Sequence, residues 1–174
     1  MPSLAATLGV TTPLSALVRK ARRLGINSLT GALTLAVSRG CRHYEPLARL
    51  PAPKIPRSAL PDDELTILLL CGEHPYDAMA IRCAAQLARS PGVNPARLAH
   101  LAVREKAEKV LAHIARAGLA HDSTGHAFWE EILFHLPRVP HPAEAILPHW
   151  TRFVSMPGRQ RSGVLPPAWL TPSP

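Results

Sequence analysis

Aromatic side chains make up only 5% of this 174-residue sequence, and its 47% apolar share comes mostly from alanine and leucine. Such a composition favours helices over sheets. Cysteine is scarce too. Cys41, Cys71 and Cys83 are an odd number without close pairing, so no disulfide framework is expected and a reducing, cytoplasmic compartment fits best. Cys-x-x-Cys and His-x-x-x-His are both missing. Cys71, Glu73 and His74 stand together, but their spacing is poor for zinc, and a free thiol on an apolar helix face is usually a small buried hydrophobe. No metal or cofactor is expected.

A Gly-rich phosphate loop and a nucleophile elbow are also missing. His113, His121, His126 and His135 can be imagined converging near Trp129 and Glu130, with no nucleophile or strand-end acid beside them. A helical enzyme built on that region is therefore the last of three readings, and a non-catalytic protein is expected. Long apolar runs are lacking as well. Residues 24–38 are uncharged but include Asn27, Ser28, Thr30 and Thr34, and they fall short of the ~20 apolar residues that span a bilayer. No membrane partner and no secretory leader are expected. Residues 1–44 contain no Asp or Glu and set six Arg and Lys among Ser, Thr and Leu, which is also how a mitochondrial transit peptide reads, so the matrix stays open as a compartment.

What is present is uneven charge and clustered proline. The net charge of +8 divides into +8 over residues 1–60, −3 over 61–145 and +3 over 146–174. A phosphate-bearing partner would be drawn to the two ends. Of nineteen prolines, five fall between Pro46 and Pro61 and nine between Pro137 and Pro174, where helix interiors are excluded. The expected organisation is a basic N-terminal helical unit (1–45), a Pro-rich linker (46–61), a helical core (62–136) and a Pro-rich basic tail (137–174). No helix is expected after Pro157. With Trp150, Phe153, Met156 and Trp169 among its prolines, the tail reads as an extended arm over the core or as a segment that docks on a partner protein.

Within the core, Asp62, Asp63 and Glu64 suit the first turn of a helix whose body, Leu65 to Leu70, should be largely buried and end at Gly72. Tyr76 to Arg89 has helical spacing. Asn94-Pro95 caps and opens a short helix through Ala102. Arg104 to Ala117 is amphipathic, with Gly118 as its stop. Glu105 with Lys109, and Arg104 with Glu108, are expected four-residue charge pairs. Residues 119–134 are either a β-hairpin or a turn and helix. The helix is preferred, because Phe128 and Ile132, and Trp129 and Leu133, recur at four-residue spacing.

Three helices in this order, with a tight connection before the last, have the layout of a helix-turn-helix unit. The segment Arg97 to Leu119, ending in Ala117-Gly118-Leu119, resembles the second and third helices of winged-helix proteins, and that resemblance implies a wing, for which only 119–134 is available. Ser3 to Ile26 reads as a weak second copy, with Leu17 over Val110, Ala21 over Ile114 and Gly25 over Gly118. In it Thr12 caps and Pro13 opens a helix whose apolar face is Leu14, Leu17, Val18 and Ala21. That leaves Arg19, Lys20, Arg22 and Arg23 projecting as an unpaired cationic face, able to reach phosphates or guanine edges. Lys106, Lys109, His113 and Arg116 form the secondary surface.

The reading is thus an all-α, tandem helix-turn-helix-like protein that binds nucleic acid, DNA favoured and RNA possible, as an accessory or regulatory factor. The alternative is a structural subunit of a larger protein or ribonucleoprotein assembly. No heptad seam suggests how it would dimerise.

Overall fold

A computed structural model of the chain describes residues 14–41, 45–71, 76–140, 147–155, 159–160, 163–164 and 166–173. Among these residues the regular structure is helical apart from two paired two-residue strands and one isolated bridge. The α-helices are α1 (Ala16–Arg23), α2 (Leu29–Ser38), α3 (Glu45–Ala48), α4 (Asp62–Cys71), α5 (Ala78–Leu87), α6 (Pro95–Arg104), α7 (Glu108–His121) and α8 (His126–His135). A 3-10 turn (Trp150–Arg152) and the antiparallel strands β1 (Arg159–Gln160) and β2 (Gly163–Val164) follow. No helix among the described residues is long and apolar enough to cross a membrane.

Helix α4 lies at the centre, as its unbroken apolar body requires. Every residue from Leu65 to Leu70 is buried, and the Thr66 hydroxyl is satisfied by donating to the Asp62 carbonyl oxygen. Helix α5 packs along α4, α1 and α2 lean on α4 from the N-terminal side, and α6 and α7 pack on each other and on α8. Leu17, Leu69, Leu111, Trp129 and Trp169 consequently belong to one continuous core.

The caps explain most helix starts. Asn94 Oδ1 accepts from the Arg97 amide with Pro95 in the first turn, and Asp77 Oδ1 caps α5 at Ala80. Helix α5 therefore begins at Ala78 rather than at Tyr76, which is exposed. In α1 the cap is Ser15, whose hydroxyl accepts from the Val18 amide. Thr12, Pro13 and the first-copy segment from Ser3 to Val10 lie outside the described residues. Leu14 precedes the cap and is exposed, so the inward face of α1 is Leu17 and Ala21, with Val18 half-buried. Helix α2, wholly uncharged, was not legible as an element, yet Ala32 to Val37 are all buried against its neighbours.

The two glycines aligned by the internal repeat do different things. Gly25, at φ +93°, ends α1: its amide donates to the Arg22 carbonyl, and the Ile26 amide reaches back to that of Ala21, the double closure of a left-handed helix end. Gly118 is no stop. Helix α7 runs past it to His121, and a Cβ there would stand 2.4 Å from the Trp129 indole. The expected end at Ala117 was wrong because this glycine makes room for a ring rather than for a turn.

Two further expectations change. Residues 119–134 contain the end of α7 and most of α8, so the hairpin alternative is replaced by the preferred helix and nothing occupies the position of a wing. Helix α6 extends to Arg104 and α7 starts only at Glu108, because Lys106 takes a left-handed φ of 59° between them. Arg104 and Glu105 thus fall before the break and Glu108 and Lys109 after it. The four-residue charge pairs are not formed, and Arg104 Nε instead bonds the neighbouring Glu105 carboxylate at 3.0 Å.

The Pro-rich segment 46–61 is bound to the body. Arg39, at the end of α2, is buried, and its guanidinium donates to the carbonyls of Leu60 (2.7 Å) and Ile55 (3.1 Å) and to Asp62 Oδ1 (2.9 Å). Burial lowers the pKa of this arginine, and the adjacent Asp62 carboxylate opposes that shift. Leu60 is fully buried, so the segment acts as a strap between α2 and α4.

The tail takes the arm-over-core reading. Trp169 packs against Trp129 and Phe153, its Nε1 donates to the Ala85 carbonyl, and Val154 and Trp169 form an isolated antiparallel bridge. The Ser173 amide donates to the Gly40 carbonyl, tying the C-terminal stretch to the end of α2. No α-helix occurs after Pro157 among the described residues.

Candidate nucleic-acid interface

Burial of Leu17 and Ala21 orients α1 so that Arg19, Arg22 and Arg23 are exposed. The four expected cations are not equivalent. Lys20 is half-buried and forms an ion pair with Glu64 in the first turn of α4, so it is neutralised. Arg19 and Arg23 are bonded to no carboxylate among the described residues. Of the acids in 61–71, Asp62 is shared by Arg39 and Arg57, and Asp63 and Glu64 are shared by Arg97 of α6 with, for Glu64, Lys20. Three acids are thus met by four cations, and no free acid at the start of α4 opposes a polyanion.

This junction carries the candidate surface further than α1. Glu64 bonds Lys20 of α1 through one oxygen and approaches Arg97 of α6 through the other at 3.5 Å, so both helices reach the start of α4 at this carboxylate. On α6, Arg97, His100 and Arg104 follow at three- and four-residue spacing and share a face, and with Glu64 and Leu101 they line one open groove. More than half of the Arg97 and Arg104 side-chain surface is exposed. Sequence reasoning misses this extension, since it pairs Arg104 with Glu108 and gives Arg97 no contact role, and their link to α1 depends on contacts that residue 64 makes with residues 20 and 97. Their exposed one-face spacing was the available signal.

The secondary surface is divided. Lys106, in the break before α7, and Lys109, in its first turn, are exposed. His113 and Arg116 are covered by the tail. His113 Nε2 donates to the Pro148 carbonyl at 2.8 Å with its ring edge-on to Phe153, and Arg116 donates to the Val139 carbonyl at 3.3 Å. Those two side chains hold chain against α7 and are not part of a cationic face.

The histidines do not converge. His121 stacks on Trp150 at 3.8 Å, His135 meets His100 edge-on, and His126 is exposed. No group of three or more His, Cys, Asp or Glu among the described residues is placed to hold a metal ion. Beside Trp129, the buried Asp122 carboxylate accepts from the indole Nε1 and from Arg89 Nε, both at 2.8 Å, joining α5 to the turn between α7 and α8. Cys41 and Cys83 are buried, and the Cys41 thiol donates to the Cys83 carbonyl. Cys71 is half-buried, and burial together with the Glu105 carboxylate pushes its thiol up to about 12.

No family model, curated protein or solved structure matches this chain.

Proposed function

We propose that the protein is a non-catalytic nucleic-acid-binding factor that grips the phosphate backbone along α1, with Arg19 and Arg23 as the principal contacts. One observation carries this reading: an eight-residue helix is anchored by Leu17 and Ala21 and turns exposed guanidinium groups to solvent, while the nearest acids are already occupied. Arginine forks suit phosphate geometry, and backbone contact of this kind does not depend on base sequence.

A preference for duplex DNA rests on the helix-turn-helix layout. Helix α5 packs chiefly on α4, and α6 and α7 turn to α8, so support for a recognition helix in the major groove is weaker than support for backbone contact.

The test is anisotropy with a labelled 20-base-pair duplex and a 20-nucleotide RNA between 50 and 200 mM salt. Three or four phosphate contacts give a log–log slope of about −2.7 to −3.6 on the duplex. The double reversal R19E/R23E should lower affinity for both ligands at least tenfold, with an unchanged circular dichroism spectrum because neither side chain is buried. Undiminished binding by that variant would overturn the proposal.

A further inference from the structure

The ring of Phe134, close to the end of α8, is 82% exposed, the most solvent-exposed of the large apolar side chains described. Its chain neighbour His135 lies edge-on to His100 of α6, with ring centroids 5.4 Å apart. Phe134 and His135 themselves meet at 5.2 Å, nearly perpendicular. His100 lines the open groove between Arg97 and Arg104, and the rings of His135 and then Phe134 continue from it toward the end of α8.

A water-facing phenylalanine next to His135, which in turn meets His100 between two exposed arginines, combines the two kinds of group that unstacked nucleotides use. Base faces stack on aromatic rings, and the phosphates that link them follow a basic groove. A duplex keeps its base faces covered and offers nothing to Phe134, whereas a single strand offers both components. The charges also set a direction. Glu130 and Glu131 are exposed one turn before Phe134 on α8, so phosphates are kept to the α6 and α1 side and only bases approach the α8 tip. The imidazoles of His100 and His135 can exchange hydrogen bonds with a ribose 2′-hydroxyl, which deoxyribose lacks.

We propose that this groove, from Arg97 and Arg104 to the ring cluster of His100, His135 and Phe134, is a binding site for single-stranded RNA, with phosphates along α6 and bases stacked on the rings. The inference rests on α1 gripping the same backbone, to which α6 is joined through Glu64.

The experiment uses the full chain and fluorescein-labelled rU15 and dT15, with the 20-base-pair duplex as reference. Phe134 supports no core contact, so F134L and F134Y should melt at the wild-type temperature. F134L should weaken rU15 binding about tenfold, the usual scale for losing one base–aromatic stack, and leave the duplex affinity unchanged. F134Y, which keeps an aromatic face, should restore rU15 binding, and H100A should weaken it severalfold. Equal affinity of F134L and wild type for rU15, while R19E/R23E still abolishes binding, overturns this site and leaves the α1 proposal standing. Loss of rU15 binding in F134Y as well as F134L, or equal affinity for dT15 and rU15, overturns the stacking or the ribose assignment respectively. If R19E/R23E leaves rU15 binding intact and F134L removes it, the groove stands and the α1 reading fails. An F134L variant that loses a co-purifying protein but binds rU15 normally would mark the ring cluster as a protein contact instead.

Discussion

Gly118 and Trp129 illustrate how much of this fold turns on single side chains. The indole is fully buried, lies where a Cβ at 118 would be, and donates to the buried carboxylate of Asp122. G118A adds one methyl against a ring held by that hydrogen bond and by Trp169, so the ring cannot step aside cheaply. The expected loss is about 1–3 kcal/mol, the usual range for overpacking, read as a shift in the urea midpoint at constant slope. A gain in stability, as an ordinary glycine-to-alanine change in a helix would give, would show that the close approach is not real. Cys71 gives a second residue-scale expectation. Its thiol is raised from 9.0 to about 12 by burial and the Glu105 carboxylate, so the folded state holds the proton where the unfolded chain has lost it. The associated stability is complete below pH 9 and declines as pH rises towards 12. Compared with C71A, the wild type should lose stability across that window, and a constant difference between the two from pH 8 to 11 would refute the assignment.

At the scale of elements, the strap over residues 46–61 concentrates its attachment in Arg39. Removing that side chain leaves the carbonyls of Ile55 and Leu60 without their donor and withdraws one of two partners from a buried Asp62. R39A should cost about 3 kcal/mol, towards the low end for breaking a buried pair because Arg57 still faces the carboxylate. R57A, which removes the solvent-exposed partner, should cost under about 1 kcal/mol. Equal losses in the two variants would mean that exposure does not rank these contacts. This strap also marks where the sequence stopped being legible. Helices α4, α5, α6 and α8 could be read because caps, terminal acids and four-residue apolar spacing are local signals. Proline density reads as detachment, and nothing local reveals that Arg39 will donate to two of its carbonyls, those of Ile55 and Leu60. In the same way, the exposure of Arg19 and Arg23 followed from periodicity, while the loss of Lys20 to Glu64 and the gain of Arg97 required tertiary contacts. His113 and Arg116 had the right residue types for a cationic face, and only the course of the tail shows that they are covered.

For the molecule as a whole, the decisive feature among the described residues is that the C-terminal stretch closes back onto the core. The C-terminal stretch supplies Trp169 and Phe153 to the core around Trp129, Gln86 donates to the carbonyls of Gly40 and Thr171, and the Ser173 amide returns to Gly40. Helix α2, α5 and the arm therefore hold one another, and the arm is a structural part of the fold despite its proline content. W169A should cost about 3–5 kcal/mol, the range for truncating a buried tryptophan, and deletion of residues 166–174 should cost at least as much while uncovering Trp129. The consequence for binding separates the arm from the proposed interface. Arg19, Arg23, His100 and Phe134 make none of these arm contacts, so at a temperature where the truncated protein remains folded its affinity for rU15 should match that of the full chain. A truncated protein that keeps wild-type stability would instead mean that the arm only rests on the core, and one that stays folded but loses rU15 would place part of the binding surface on the arm.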